Sequence, residues 1–330
     1  MRLILSARSD EQLRFAAQLG CDGVMSSLRP EEYPDGYFEY APMAALKTGV
    51  ESYGLTLEAF STLPWRLCYK WMLGLPGRDE QIENTQKSIR HMGAVGIPLL
   101  VFNVHALRFY RTSRDTRERG GALATSFEWA HVKDVPLMAG GPSTDPDLIP
   151  ESHRRPIGDE EMWENYAYFV RAVVPVAEEA GVKLALHPDD PQVPAIAGVA
   201  RIMRSPEAMR RALEIAPSDN LGVKFCVGCF SQMGADVAQE VRRFGESGKV
   251  LLVDFRNVRG TVDSFRETFL DNGQEDMPGV MRALVEVGYD GPVGPDHAVR
   301  LVGDGPRGER YWAYAIGYMR ALLQVLQSQS

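Results

Sequence analysis

The chain has 330 residues, 45% of them hydrophobic, and a formal net charge of −8 at pH 7. That length supports a sizeable core, as one large barrel or two smaller domains. The acidic balance and the lack of any Lys/Arg cluster exclude a nucleic-acid partner. No run of about eighteen apolar residues offers a membrane span, and MRLILSARSDEQ reaches charged residues too early for a signal peptide, so a cytoplasmic protein is expected.

Short apolar runs alternate with longer amphipathic stretches along the whole chain, the pattern of βα units in a parallel sheet. Eight runs are predicted as strands: RLILSA from Arg2, GVMSS from Gly23, LTLEAF from Leu55, PLLVFN from Pro98, KLALH from Lys183, LGVKFC from Leu221, KVLLVDF from Lys249 and GPVGPD from Gly291. The clearest helix runs from Glu160 to Ala180. Trp163, Tyr166, Phe169, Val170, Val173 and Val176 recur there at steps of three and four, and Gly181 follows as a terminator. Gly288 closes the stretch from Met281 to Val287 in the same way. Eight βα units in this order predict an α/β fold, a single (β/α)8 TIM barrel over residues 1–330. An open doubly wound sheet with a second domain is the competing arrangement. Segment 104–156, an insertion after strand 4 of about fifty residues rich in Arg, Gly, Ser, Pro and Asp, is predicted to be a lid or an oligomer contact, and a homo-oligomer is expected.

Chemistry in such a barrel sits where the strands end. Strand five stops on His187, followed by Pro188, Asp189 and Asp190. Strand six stops on Cys226, strand seven on Asp254, strand eight on Asp296 and His297. Each alone has a plain structural reading, a hydrogen-bonded histidine or a packed thiol. Together, on neighbouring strands, imidazole, thiolate and carboxylate point to a divalent transition metal, with manganese, iron, cobalt and zinc all allowed. The four cysteines do not form a disulfide framework and are expected as thiols. Cys226 and Cys229 form a C-x-x-C pair that could be redox-active or half of a zinc site, but no second pair accompanies it. Arg256 and Asn257, just past strand seven, could orient a substrate carboxylate or hydroxyls; Arg256 could equally be a structural ion-pair partner. Asn103 and Glu58, read at the ends of strands four and three, are weaker candidates of the same kind.

The string LALHPDDPQVPAIAGVARI resembles the signature of the mannonate dehydratase family, a family of xylose isomerase-like barrels. Similarity continues through NLGVKFCVG, FRNV, EDMPGVMRAL and GYDGPVGPDH, and upstream through IENTQKSIRHMGAVGIPLLVFN and RTSRD, so it covers nearly the full chain. The resemblance implies a metal held by His187, Cys226, Asp254 and Asp296, with Mn2+ the first expectation, and an acid–base pair of His297 and Tyr311. It also implies removal of water from a sugar acid to give a 2-keto-3-deoxy acid. Asp254 departs from the family pattern, which has His-Leu-Arg-Asn-Val where this chain has Asp254-Phe255-Arg256-Asn257-Val258. Gly294 stands in place of Arg, Ala298 in place of Gly, Arg266 and Phe269 in place of histidines, and Val104-His105-Ala106 in place of Phe-Met-Pro. A sugar isomerase or epimerase, for which a carboxylate-rich site is usual, and a barrel that binds without turnover are the competing functions.

Overall fold

The computed structural model describes residues 1–107, 111–140, 144–305 and 307–328. Eight parallel strands close into a barrel in sequence order: β1 (Arg2–Ser6), β2 (Gly23–Ser26), β3 (Thr56–Phe60), β4 (Leu99–Phe102), β5 (Lys183–Leu186), β6 (Leu221–Cys226), β7 (Val250–Phe255) and β8 (Pro292–Pro295), with β8 pairing back onto β1. Every predicted strand is present, and the closed order removes the open-sheet alternative. Closure leaves no unpaired edge.

Two layers of apolar packing hold the barrel. Inside it, Ile4, Ala59, Leu99, Val101, Ala185, Leu251 and Leu252 form a compact plug. Outside it, the helices bury their apolar stripes against the strands. The helix Asp159–Ala180 carries Asp159, Glu160 and Glu161 in its first turn, where they complement the helix dipole, and buries Trp163, Tyr166, Phe169, Val170, Val173 and Val176. Phe169 stacks on Trp71 with centroids 3.9 Å apart, and full burial of a side chain of that size contributes about 1.5–3 kcal/mol. Gly181 ends the helix at φ +65°. The neighbouring helix Arg78–Val95 approaches so closely that a Cβ on Gly93 would lie 2.3 Å from the Ala180 carbonyl oxygen.

The segment between β4 and β5 contains regular structure that its polar composition does not announce. Ser113–Arg117 and Leu123–Glu128 join a hairpin that leaves the end of β7, Asn257–Thr261 and Ser264–Thr268, in a four-stranded antiparallel sheet. Phe127 and Phe265 are register partners with stacked rings 5.5 Å apart. Positions 108–110 and 141–143 of this segment lie outside the described residues. Because the hairpin grows from the carboxyl end of β7, this second sheet stands at the mouth of the barrel. No helix among the described residues is long and apolar enough to cross a membrane.

Candidate active site

Strand register brings the donor groups together. Cys226 on β6 is the direct partner of Asp254 on β7, and Asp254 is the partner of Gly294 on β8. The pleat returns to the same face two residues later, which carries Asp296 to the same side of the wall. Donor atoms of Cys226, Asp254 and Asp296 all lie within 4.8 Å of one another. His187, one residue beyond β5, places Nε2 3.4 Å from Asp254 Oδ2, while its Nδ1 is 2.6 Å from the Pro188 carbonyl oxygen. The four residues expected to hold a metal are thus linked at the mouth of the barrel, Cys226, Asp254 and Asp296 as one group and His187 beside Asp254.

Lys224 completes this group from below. It sits two residues before Cys226, on the same inward face of β6, with Nζ 2.8 Å from Asp254 Oδ2. Burial resists its charge, and the carboxylates of Asp254 and Asp296 hold it ionised. Burial alone would raise the Asp254 carboxyl, but Lys224 and then His187 hold it well below the usual carboxylate range. For Cys226 burial again opposes ionisation, and Cys229, Arg256 and His187 overcome it and pull the thiol down. His187 is raised to about 10: burial resists, and the contacts to Asp254 and Cys226 prevail. Asp254 Oδ2 thus stands between the Lys224 ammonium at 2.8 Å and the His187 imidazole at 3.4 Å. A carboxylate beside a thiol, a second carboxylate and an imidazole is a donor set that fits a divalent cation.

A second charged group lies alongside, and its members are saturated by one another. Arg256, almost wholly buried, donates from Nη1 to both Glu267 oxygens at 2.9 Å, from Nη2 to Asp190 Oδ2 at 3.0 Å and to Cys229 Sγ at 3.2 Å, and from Nε to Cys226 Sγ at 3.1 Å. Arg111, from the segment after β4, grips both Asp190 oxygens at 2.7 and 2.8 Å and Glu267 at 2.6 Å. Burial would raise Glu267, yet Arg256, His297 and Arg111 bring it down to about 2. His297 adopts φ +50° and places Nδ1 2.9 Å from Glu267 Oε1 and Nε2 3.4 Å from Asp296 Oδ2. Tyr311 is fully buried against Phe269, Trp312 and Tyr314, and its hydroxyl has no hydrogen-bond partner among the described residues. Burial, then the charges of Tyr314, Glu267 and Asp296, push its pKa up.

Of the expected substrate contacts, Glu58 lies away from the mouth, while Asn257 and Arg256 are at the site but engaged by protein groups. Glu58 does not end β3: it falls where the register with β2 skips from Leu57 to Ala59, and its carboxylate pairs with Arg2 at 2.8 Å, next to the first residues of the strands and away from the mouth. Asn257 spends its amide on the backbone, donating to the Leu270 and Glu275 carbonyls and accepting from the Val258 and Glu275 N–H groups, so it staples the 257–275 loop. Arg256 makes ion pairs here, with Nε, Nη1 and Nη2 all engaged by protein acceptors. Asn103 does lie beyond β4, where its Oδ1 accepts from the His105 N–H at 3.2 Å. The structure adds Arg111, Asp190, Lys224 and Glu267 to the site; Asp190 in the HPDDP string and Arg111 at the start of RTSRD carry a local signal, whereas Lys224 and Glu267 do not.

A closed (β/α)8 barrel with titratable groups gathered at the carboxyl ends of its later strands is the architecture of an enzyme for a small polar substrate. The D-mannonate dehydratase (UxuA) family model matches residues 7–330, and the chain belongs to that family. It is 29% identical to "Mannonate dehydratase 2" of Halalkalibacterium halodurans over 96% of both chains. It is 34% identical to the mannonate dehydratase of Streptococcus pneumoniae over 82% of this chain and 76% of that one. The crystal structure of mannonate dehydratase from Streptococcus suis serotype 2 superimposes with a TM-score of 0.88 at 28% identity, covering 100% of this chain and 95% of that one.

Proposed function

We propose that this chain is a hydro-lyase that converts D-mannonate, or a closely related aldonate, to the 2-keto-3-deoxy acid and water at a divalent metal held by His187, Cys226, Asp254 and Asp296. The observation that carries the reading is the convergence of these donors at the ends of neighbouring strands, with His297 Nε2 3.4 Å from Asp296 Oδ2. A bound divalent ion would supply Lewis acidity, stabilising the negative charge that develops when the poorly acidic C2 proton leaves. The chain's own residues move the protons. Tyr311 suits donation to the departing hydroxyl, because its buried phenol stays protonated and its hydroxyl has no competing partner. His297, steered through Nδ1 by Glu267, takes the other proton-transfer role. Asn103 stands at the rim as a candidate contact for substrate hydroxyls. The segment after β4 closes the mouth through Arg111, which reaches across to Asp190 and Glu267.

Manganese is the first choice of ion, since two carboxylates and one imidazole suit it while the thiol admits iron, cobalt or zinc. The test is turnover of a panel of aldonates after chelation, with and without added manganese, scored as 2-keto-3-deoxy product. Chelated protein should be inactive and recover with metal; activity that survives chelation would overturn the metal reading. Asp254 is the feature that favours a sugar isomerase or epimerase, and aldose and ketose substrates in the same panel separate the two.

A further inference from the structure

The C-x-x-C pair is not absorbed by the reading above. Cys229 is buried, is not among the four expected ligands, and lies within reach of two of them: an imidazole nitrogen of His187 and the sulfurs of Cys226 and Cys229 all fall within 4.8 Å of one another. Zinc bonds of about 2.0–2.3 Å in tetrahedral geometry need donors about 3.3–3.8 Å apart. The observed group is near that size, and a bound ion would draw its donors to bonding distance. The strand-to-helix turn after β6 makes this possible, with Cys226 ending the strand and Cys229 in the first turn of the short helix Val227–Gln232.

Both sulfurs already face a cation of the chain, the guanidinium that also binds Asp190 and Glu267. The Arg256 guanidinium donates to Cys226 Sγ at 3.1 Å and to Cys229 Sγ at 3.2 Å. It lies flat against the turn between them, where a Cβ on Gly228 would come within 2.6 Å of Nη1. A side chain at 228 would push the guanidinium off the sulfurs.

We propose that Cys229, with Cys226 and His187, forms a second, softer seat for a late transition ion such as zinc, beside the oxygen-rich seat of Cys226, Asp254 and Asp296. Because Cys226 belongs to both groups, one ion occupies one seat or the other. Hard ions settle on the carboxylates and soft ions on the sulfurs. Zinc then sits away from Asp296 with two thiolates donating to it, a weaker Lewis acid in the wrong place, so zinc competes with manganese and inhibits the dehydratase. This inference rests on the metal reading of the previous section.

The experiment is a titration of cobalt(II) into the chelator-stripped full chain under a non-thiol reductant, following the thiolate-to-cobalt charge-transfer band, whose intensity scales with the number of coordinating thiolates. The wild type should show a two-thiolate band. Cys229→Ser and Cys229→Ala should each lower it by about half, weaken zinc binding by about tenfold or more, and leave manganese affinity within about threefold. Far-UV circular dichroism checks that both variants are folded. An undiminished band and unchanged zinc affinity in folded Cys229 variants would overturn the soft seat alone. A wild type that binds no cobalt, or a Cys226→Ser variant that keeps the whole band, would overturn the metal reading with it.

Discussion

Two clusters of buried charge share the mouth of this barrel, and they differ in what their atoms still need. The group of Arg111, Asp190, Arg256 and Glu267 is built from bidentate and bridging hydrogen bonds between opposite charges. The group of His187, Cys226, Asp254 and Asp296 surrounds Lys224 and meets Arg256 only edge-on, at 3.1 Å from Cys226 Sγ and 3.3 Å from Asp296 Oδ2, with no bidentate pairing to close it. A saturated cluster resists change and positions whatever touches it; an unsaturated one is where a ligand lowers the free energy. The first is therefore the frame that holds Glu267 against His297, and the second is where we place the chemistry.

The largest effect should come from the unsaturated group. Cys226→Ser or Asp296→Asn removes a proposed ligand, and both metal affinity and turnover should fall by at least about a hundredfold, more than the loss of a supporting contact typically costs. Equilibrium dialysis against manganese and a product assay measure the two. If metal content survives while turnover falls, the residue is catalytic without being a ligand. Stability should change less than activity, because the wild type itself holds these groups imperfectly paired.

Arg256→Ala is the opposite case. It leaves Asp190 with Arg111 alone and Glu267 with Arg111 and His297, and removal of one partner from a buried ion pair costs about 3–5 kcal/mol. Denaturant unfolding should report a loss of that size. A loss below about 1 kcal/mol would mean that water enters and the cluster is not the rigid frame described here. Tyr311→Phe sharpens the contrast further: the hydroxyl has no partner to lose, so unfolding should change little, while kcat should drop by about 10²–10⁴ if the phenol is the acid. Full activity in Tyr311→Phe would remove it from the mechanism.

The frame and the reactive group were unequally legible in the sequence. His187, Cys226, Asp254 and Asp296 each stop an apolar run, so a rule about strand ends finds them one strand at a time, as it finds the eight strands themselves. The saturated cluster depends on pairings far apart in the chain, Arg111 with Glu267 and Leu123–Glu128 with Ser264–Thr268, and no local pattern announces such contacts. Lys224 was hidden for another reason. Barrel strands are apolar on both faces, so alternation does not show which residues point inward. Glu58 was misplaced because the register skip between β2 and β3 cannot be read from composition.

The smallest effect is expected from a double substitution at the position where this chain departs from its family. Asp254→His would by itself restore the family's residue at the end of β7, yet it strands Lys224, whose ammonium lies 2.8 Å from the carboxylate it would lose. A buried cation without its partner costs several kcal/mol, and it would stand beside a divalent ion, so the single variant should bind manganese poorly and be less stable than wild type. Asp254→His combined with Lys224→Met removes the negative and the positive charge together. The net charge of the site is then unchanged, because the carboxylate and ammonium already sum to zero. Metal affinity and mannonate turnover in the double variant should lie within about tenfold of wild type, a coupling that a double-mutant cycle measures directly. If Asp254→His alone is as active as the double variant, Lys224 is not the partner that makes a carboxylate tolerable here, and the ion pair is incidental to the metal site.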